Sequence, residues 1–306
     1  MRVAVLGRTK MLYDTIEMLQ SVGHQVVLVG TCKAAPEYDV AEEDFAKKAN
    51  EIGAFFFNDA NINRKDIIEL LKSAKADIAI SLNWLTIIGK DAIGAFAKGI
   101  LNAHCGDLPR YRGNACPNWA ILNGEKQFAI SIHYMQPGEL DSGDILVKEY
   151  YPITETTDIS EIYEIAESKI PILFCEAIKK IDEGYSGEEQ SKKTEDILRC
   201  YPRIPTDSFI DWNMSCNQIE RIVRASTRPF AGAYTFWGNE KIYIHKCKKK
   251  KFQTPCCVNA GQVISVNRES GEVEVAASDG IIIIDRIYIG GNEIVASNVL
   301  KSTRIR

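Results

Sequence analysis

The sequence predicts an α/β chain in which a mostly parallel, helix-covered sheet is followed by a small all-β domain. Three observations predict it. Short β-branched apolar runs alternate with amphipathic helical segments through the first part of the chain. A polar stretch with prolines at 202 and 205 follows, over residues 185–206. Beyond it the pattern changes to short strands separated by turn residues.

Taken in order, "RVAVLG" is a buried strand, and "MLYDTIEMLQSVG" follows with helical spacing and a stop at Gly23. "HQVVLVGT" is a second strand. Residues 40–52 form an acidic amphipathic segment, "AFFF" is a short strand, "RKDIIELLKSAK" is a helix, and "DIAISLN" and "GILNAH" are further strands. Strands alternating with helices imply parallel neighbours joined by crossovers. "WAILNGE" reads as helix. "FAISIHYM" and "DILVKEYYPI" read as adjacent strands joined by the polar loop "QPGELDSG". A long helix over residues 158–184 starts at Thr157 or a neighbour and is interrupted by Pro171. Residues 185–206 read as a linker. "SCNQIERIVRAS" is then a short helix, and "GAYTFWGNEKIYIHKC" is a hairpin turning at Gly-Asn, with Tyr234 and Trp237 in the core. "GQVISVNRESGEVEVAASDGIIIIDRIYI" supplies three more strands, which suggests a small OB-like barrel. The expected domains are residues 1–205, linker included, and 206–306.

A chain of 306 residues is long enough for two cores. It has no run of eighteen apolar residues, so no membrane span is expected. "MRVAVLGRTKMLYD" lacks a signal-peptide pattern, and a cytoplasmic protein is expected. The nine cysteines are scattered without a C-x-x-C, and we read them as free thiols in a reducing compartment. The four histidines are far apart in sequence, which argues against a His-built metal site, so no metal is expected. Charge is unevenly placed: residues 1–205 carry 23 Lys+Arg against 31 Asp+Glu, a net of −8, and residues 206–306 carry 14 against 10, a net of +4. The excess sits in "KCKKKK" (residues 246–251), either a nucleic-acid footprint or a strand edge guarded by lysines. No aromatic interleaving accompanies it, and we take the strand edge.

An open parallel sheet binds ligands beyond the carboxyl ends of its strands. Arg8 follows the first strand, Asn83 the fourth, and Asn102 and His104 end the next, in "ILNAHCGDLPRYRGN". After the first strand stands only "GRTK", without a dinucleotide glycine fingerprint, and P-loop, G-x-S-x-G and H-E-x-x-H motifs are absent too. What remains suits acyl transfer. A histidine relays a proton, an asparagine amide donates to a developing oxyanion, and a carboxylate from Glu139, Asp141 or Asp144 favours the charged imidazole. The simpler reading of each is a structural histidine and turn-forming acids. His133 on the next strand has two readings, one facing the site and one as a packed strand histidine, and we take the second. Cys105 and Cys116 are read as packing.

The ordered set "NAHCGDLPRYRGNACPNWAILNGE" and "SIHYMQPGELDSGDIL" resembles the signature of the N10-formyltetrahydrofolate-dependent formyltransferases. That signature runs N-x-H, L-P-x-Y-R-G, N-W, N-G-E and D-x-G-x-I. "PRIPTDSFIDWNMSCNQIERIVRASTRPFAGAYT" is similar to the segment entering the C-terminal domain of its methionyl-tRNA and amino-arabinose members, so the resemblance spans nearly the whole chain. It implies a Rossmann-like formyltransferase fold and a catalytic set of Asn102, His104 and Asp141. In this set Asn102 stabilises the oxyanion, His104 moves the proton, and Asp141 holds the imidazole. It also implies N10-formyltetrahydrofolate as co-substrate, held by the loop at Thr86, Ile87 and Ile88 and by the loop at Pro137, Gly138, Glu139 and Leu140.

For the acceptor, Arg8, Lys10 and Arg112 are candidates to meet a diphosphate, with surface solvation, or for Arg112 a structural role in the loop, as the rival reading. Trp119 would stack on a sugar or base, with a core tryptophan as the rival reading. Asn83, Asn114 and Asn118 complete the candidate substrate-binding set. The chain departs from the family at Gly106, where serine is usual, at Asp107, and at Asn114, where amino-arabinose enzymes carry an arginine. The methionyl-tRNA enzymes have a basic insertion after the second strand. Here "CKAAPEYDVAEEDFAKKA" is short and acidic, and acid repels a phosphate backbone. The expected acceptor is therefore a nucleotide-linked amino sugar, a 4-amino-4,6-dideoxyhexose on UDP or dTDP, and nucleic acid is not the expected partner. The rivals are methionyl-tRNA formylation, formyltetrahydrofolate hydrolysis, and a non-catalytic nucleotide or tRNA binder. Likeness to the sugar enzymes also points to a homodimer.

Overall fold

The computed structural model describes residues 1–35, 38–254 and 256–301. Pro36 and Glu37 of the acidic stretch lie outside the described residues. The chain divides into two compact units. The first comprises Met1–Cys116, Gln127–Pro152 and Tyr163–Tyr201, and the second takes Pro117–Lys126, Ile153–Ile162 and the chain from Pro202 on. The division is more interleaved than the single break expected at 205/206, because two short segments of the first half belong to the second unit.

In chain order the elements are β1 (Arg2–Gly7), α1 (Lys10–Ser21), β2 (Gln25–Thr31), α2 (Glu42–Glu51), β3 (Phe55–Asn58), α3 (Lys65–Ser73), β4 (Ile78–Leu82), α4 (Lys90–Ile93), β5 (Ile100–His104), β6 (Arg112–Gly113), α5 (Cys116–Asn123), β7 (Gln127–Tyr134), β8 (Ile145–Pro152), α6 (Ile159–Asp182) and β9 (Arg199–Cys200). Seven strands form the main sheet in the order β3-β2-β1-β4-β5-β7-β8. The pairs from β3 to β5 are parallel, and β7 and β8 are added antiparallel. The apolar runs of β1 and β4 are buried along most of their length, as strands covered on both faces must be. α1 buries Leu12, Ile16 and Leu19 at helical spacing. The long helix keeps Pro171 inside it, and Asp158, rather than Thr157, caps its start by accepting from the N–H groups of Ser160 (2.9 Å) and Glu161 (3.2 Å).

The expected linker is structured. Glu188 exchanges both backbone hydrogen bonds with Ile145, and β9 pairs with β6. Polar composition suggested a solvated tether, but these polar groups satisfy the backbone of a neighbouring loop.

The second unit holds α7 (Cys216–Ser226), β10 (Ala233–Trp237), β11 (Glu240–Ile244), β12 (Lys248–Lys250), β13 (Val263–Val266), β14 (Val273–Ala276), β15 (Ile281–Ile284), β16 (Arg286–Ile289), β17 (Asn292–Val295) and α8 (Ala296–Val299). These eight strands make two four-stranded antiparallel sheets, β10-β11-β16-β17 and β12-β15-β14-β13. The sequence pattern had suggested five. "IIIIDRIYI" is two strands split at Asp285, and the lysine run is itself a strand. β12 stands at a sheet edge, where charged side chains deter pairing with other chains. Ile219, Val223, Ile244, Val275, Ile282 and Ile284 are buried in this unit's core. Among the described residues no helix is long and apolar enough to cross a membrane.

Gly143 shows how closely the loop between β7 and β8 is folded back. A Cβ there would stand 2.0 Å from the Tyr134 carbonyl oxygen. Gly143→Ala is expected to lower stability by about 1–3 kcal/mol, read as an earlier midpoint in urea. An unchanged midpoint would contradict the close approach.

Candidate active site

Strand alternation assembles the polar groups. Asn102 and His104 are two residues apart on β5 and share one face of the sheet. β7 runs antiparallel beside it with His133 opposite Asn102 and Ser131 opposite His104. The loop after β7 then carries Asp141 back over this face. Asn102, His104, His133 and Asp141 all line one cavity of about 230 Å³. A larger cavity of about 1230 Å³ runs along β8 and includes none of the four.

His104 is buried, and its Nε2–H donates to the Tyr111 carbonyl at 2.5 Å. Tyr111 has a left-handed φ of +58°, uncommon for a residue with a side chain. The L-P-x-Y-R-G turn thus presents a backbone acceptor to the imidazole. The same carbonyl accepts from Cys116 Sγ at 2.9 Å. Gly106 is required beneath the ring, since a Cβ there would lie 2.4 Å from the Tyr111 oxygen and 2.5 Å from His104 Nε2. With the proton on Nε2, the neutral ring carries its free lone pair on Nδ1. Nδ1 lies 3.7 Å from Asp141 Oδ2.

Asp141 also has a left-handed φ, +53°. Its Oδ2 accepts the Gly113 N–H at 2.8 Å, and its Oδ1 is 3.5 Å from His133 Nε2. Burial alone would push this carboxyl up. The charge of His104 and the Gly113 N–H oppose it, and the carboxyl is held well below the usual carboxylate range. Burial lowers the pKa of His104 below its ordinary 6.5, with Asp141 opposing. The site at neutral pH therefore pairs a fixed anion with a neutral base. Glu139 is engaged with Arg112 Nη1 at 2.9 Å, and of the three carboxylates in the loop Asp141 is the one that reaches a His104 ring nitrogen.

His133 is part of the site, not simply a packed strand residue. Its Nδ1–H donates to the Tyr134 carbonyl at 2.9 Å, which leaves Nε2 to accept from Asn102 Nδ2 at 3.2 Å. One amide N–H of Asn102 is thereby fixed and the other is free to point at a reacting oxygen. The sequence did carry a signal: "NAH" on one strand and "SIH" on its neighbour are matching alternate polar pairs. Gln190, in the expected linker, gave none. It is buried, and its Nε2 donates to the carbonyls of Asp141 (2.9 Å) and Gly143 (2.7 Å) while its Oε1 accepts from Arg112 Nη2 (2.8 Å) and Nε (3.2 Å). Arg112 has a structural role in the loop and is not available to a diphosphate.

A family model described as formyl transferase matches residues 1–178, and one described as formyl transferase, C-terminal domain, matches residues 204–304. The chain belongs to the formyl transferase family. A methionyl-tRNA formyltransferase of Ruminiclostridium cellulolyticum is 28% identical, with 96% of this chain and 97% of that protein covered. The bifunctional polymyxin resistance protein ArnA of Wigglesworthia glossinidia brevipalpis is 31% identical over 65% of this chain and 30% of its own length. The sugar 3N-formyl transferase WlaRD, solved with dTDP and 5-N-formyl-THF, has a similar fold, with a TM-score of 0.67 at 18% identity over 95% of this chain and 98% of that one. The N-formyltransferase from Helicobacter canadensis, solved with folinic acid and dTDP-3-aminofucose, also gives a TM-score of 0.67 at 18% identity, over 94% and 100% of the two chains.

In this formyltransferase Thr86, Ile87, Ile88, Gly138, Glu139 and Leu140 line the same cavity as the four polar groups, with Asn83 and Asn114 beside them. Pro137 is exposed and outside the lining. Arg8 is not at the cavity either; it donates to the carbonyls of Asn83 (2.9 Å) and Lys33 (3.0 Å), fixing loop ends. Lys10 is held by Asp14 one helical turn on. Asn118 is buried in the second unit, donating to the Ala225 carbonyl at 2.8 Å, and Trp119 belongs to that unit as well. Asp107, the departure beside Gly106, accepts from Tyr150 Oη (2.8 Å) and Lys148 Nζ (3.2 Å), tying the loop to β8. Burial pushes the Cys105 thiol up to about 12, which leaves it un-ionised and consistent with packing.

Gln190→Ala strands a buried guanidinium and two carbonyls, so kcat should fall on the order of tenfold or more as the Asp141 loop loosens. Unaltered kinetics would remove Gln190 from the site. The lowered pKa of His104 sets the pH dependence. A base must be unprotonated, so kcat/KM should be level at neutral pH and fall only as pH drops through a value below 6.5. The same shift makes the unfolded state the stronger proton binder below pH 6.5, so His104 destabilises the fold in acid. An acid limb centred above 7 would rule out this assignment.

Proposed function

We propose that this formyltransferase transfers the formyl group of N10-formyltetrahydrofolate to the amine of a nucleotide-linked amino sugar, a 4-amino-4,6-dideoxyhexose on UDP or dTDP, in surface glycan biosynthesis. The grouping of Asn102, His104 and Asp141 around one cavity carries the chemistry. For the donor, Ile87 and Leu140 are 69% and 42% exposed and stand on two loops of that cavity, apolar walls suited to a flat heterocycle.

The amine nitrogen attacks the formyl carbon, and the carbonyl electrons move onto oxygen. Asn102 Nδ2 donates its free N–H to that oxyanion. His104 Nδ1 takes the amine proton, and the imidazolium so formed lies beside the Asp141 carboxylate. The proton then passes to N10 as the carbon–N10 bond breaks. Thr86, Ile87, Ile88 and residues 137–140 would position the folate, and Asn83 and Asn114 would meet the acceptor.

Electrostatics support the sugar acceptor. Lys248 pairs with Glu272 at 3.0 Å, Lys249 with Glu220 at 3.6 Å, and Lys250 with Glu274, so the lysine strand is largely neutralised. α2 carries Glu42, Glu43, Asp44 and Glu51 against Lys47 and Lys48. Neither surface attracts a phosphate backbone. Methionyl-tRNA is the second reading, favoured by the end-to-end similarity to the Ruminiclostridium enzyme. The homodimer and the cytoplasmic location belong to the same proposal.

The test mixes the enzyme and N10-formyltetrahydrofolate with a panel of nucleotide-linked amino sugars or with charged initiator tRNA, and mass spectrometry looks for the added formyl group. A formylated sugar is expected, with His104→Asn slower by about 10²–10⁴-fold. Formyl-methionyl-tRNA would replace the sugar reading. Free formate with no acceptor modified would replace both with hydrolysis.

A further inference from the structure

The loop between β4 and α4 carries the exposed Ile87, and it is held from outside the cavity. The hold comes from the segment after β3, "DANIN" at residues 59–63, which no step of the transfer uses. That segment is itself ordered. The Asp59 N–H donates to the Thr31 carbonyl at 3.0 Å, Asp59 Oδ1 accepts the Asn61 N–H at 2.8 Å, and Asp59 Oδ2 accepts from Arg64 Nη1 at 2.6 Å. Ile62 is fully buried and belongs to the same core cluster as Ile88.

Asn63 ends the segment, exposed and outside the cavity lining. Its amide bonds to the loop on both sides of Ile88. Nδ2 donates to the Ile87 carbonyl at 2.8 Å, and Oδ1 accepts the Gly89 N–H at 2.7 Å. Thr86 Oγ1 adds a third tie, donating to the Ala60 carbonyl at 2.6 Å. An amide that takes the carbonyl before a residue and the N–H after it copies the pairing that a parallel strand would give. It fixes the backbone at Ile88, which stays packed in the core while the Ile87 side chain stays exposed at the cavity. Gly89 is matched to this contact. A Cβ there would stand 2.7 Å from Asn63 Oδ1, while its φ of −81° suits any residue. An alanine at 89 would therefore displace the Asn63 amide without straining the backbone.

We propose that Asn63 is a positioning residue that sets the affinity for the folate donor by clamping the loop at residues 86–89. The proposal rests on the reading of Thr86, Ile87 and Ile88 as a wall of the folate site. A loop that must be ordered on binding costs affinity, and a loop already ordered does not. The clamp acts on the grip of the heterocycle, and the proton transfer at His104 is left as it is. Asn63→Ala removes both amide bonds. Asn63→Asp keeps an acceptor for the Gly89 N–H but sets an oxygen against the Ile87 carbonyl.

The test measures binding of 5-formyltetrahydrofolate to the full-length protein by calorimetry, which needs no acceptor. Asn63→Ala, Asn63→Asp and Gly89→Ala should each weaken binding by about three- to tenfold, the scale of one or two exposed hydrogen bonds. Gly89→Ala should add nothing in the Asn63→Ala background, because its effect runs through the same amide. A general loss of structure would instead make the two losses add. In transfer assays KM for N10-formyltetrahydrofolate should rise in step while kcat holds. Wild-type affinity in Asn63→Ala would overturn the proposal. So would a full added loss from Gly89→Ala in the Asn63→Ala background, or a fall in kcat with the donor KM unchanged. Ile87→Asp separates this proposal from the reading beneath it. If that variant binds the folate as the wild type does, the wall reading falls and the clamp with it. If it weakens binding and Asn63→Ala does not, the wall stands and the clamp alone is overturned.

Discussion

The Tyr111 carbonyl holding His104 Nε2 is the contact on which the rest of the site depends. It commits the ring proton to one nitrogen and leaves the other bare, the base of the proposed reaction. Much of the surrounding sequence supports that one contact. Tyr111 accepts a left-handed backbone to aim its oxygen, Gly106 gives the ring and the oxygen room, and Cys116 adds a second donor to the same carbonyl. Without these the imidazole could rotate or change tautomer, and the spacing of N-x-H would have no chemical meaning.

The second constraint is a buried charge. An ionised carboxylate taken from water is unfavourable unless it is paired and hydrogen bonded. Asp141 receives the Gly113 N–H, and two histidines lie within reach, while Gln190 holds its backbone and Arg112 braces Gln190. In the proposed reaction the loop would be prepared for an imidazolium formed during transfer, which is the arrangement electrostatic preorganisation calls for. His133 does the same for Asn102 by occupying one of its two amide protons. Both devices act by restricting orientation, so modest shifts in supporting residues reach the chemistry.

The sheet, the strand ends and the grouping of Asn102 and His104 were legible in the sequence because they follow from short-range periodicities of two and 3.6 residues. The lysine run was read as a strand edge from its charge and its lack of interleaved aromatics, and β12 is one. What escaped was long-range. Gln190 sits 49 residues from the carbonyl it holds, inside a stretch whose polarity looked like solvation. His133 is opposite Asn102 through strand register, which one sequence shows only if both strands are aligned by eye. Arg8 and Lys10 looked like free cations at a strand end, and each has a local partner that composition does not reveal. Asn118 and Trp119 follow the motif closely in sequence, yet the chain passes into the second unit between Cys116 and Pro117.

The tautomer of His104 tests the account most directly. Nitrogen-15 NMR of histidine-labelled protein at neutral pH distinguishes a protonated from an unprotonated ring nitrogen. The account predicts that His104 carries its proton on Nε2, with Nδ1 bare beside Asp141. A proton resident on Nδ1 at that pH would contradict it, since Asp141 would then face a donor and the base would have to be Nε2, already held by the Tyr111 carbonyl.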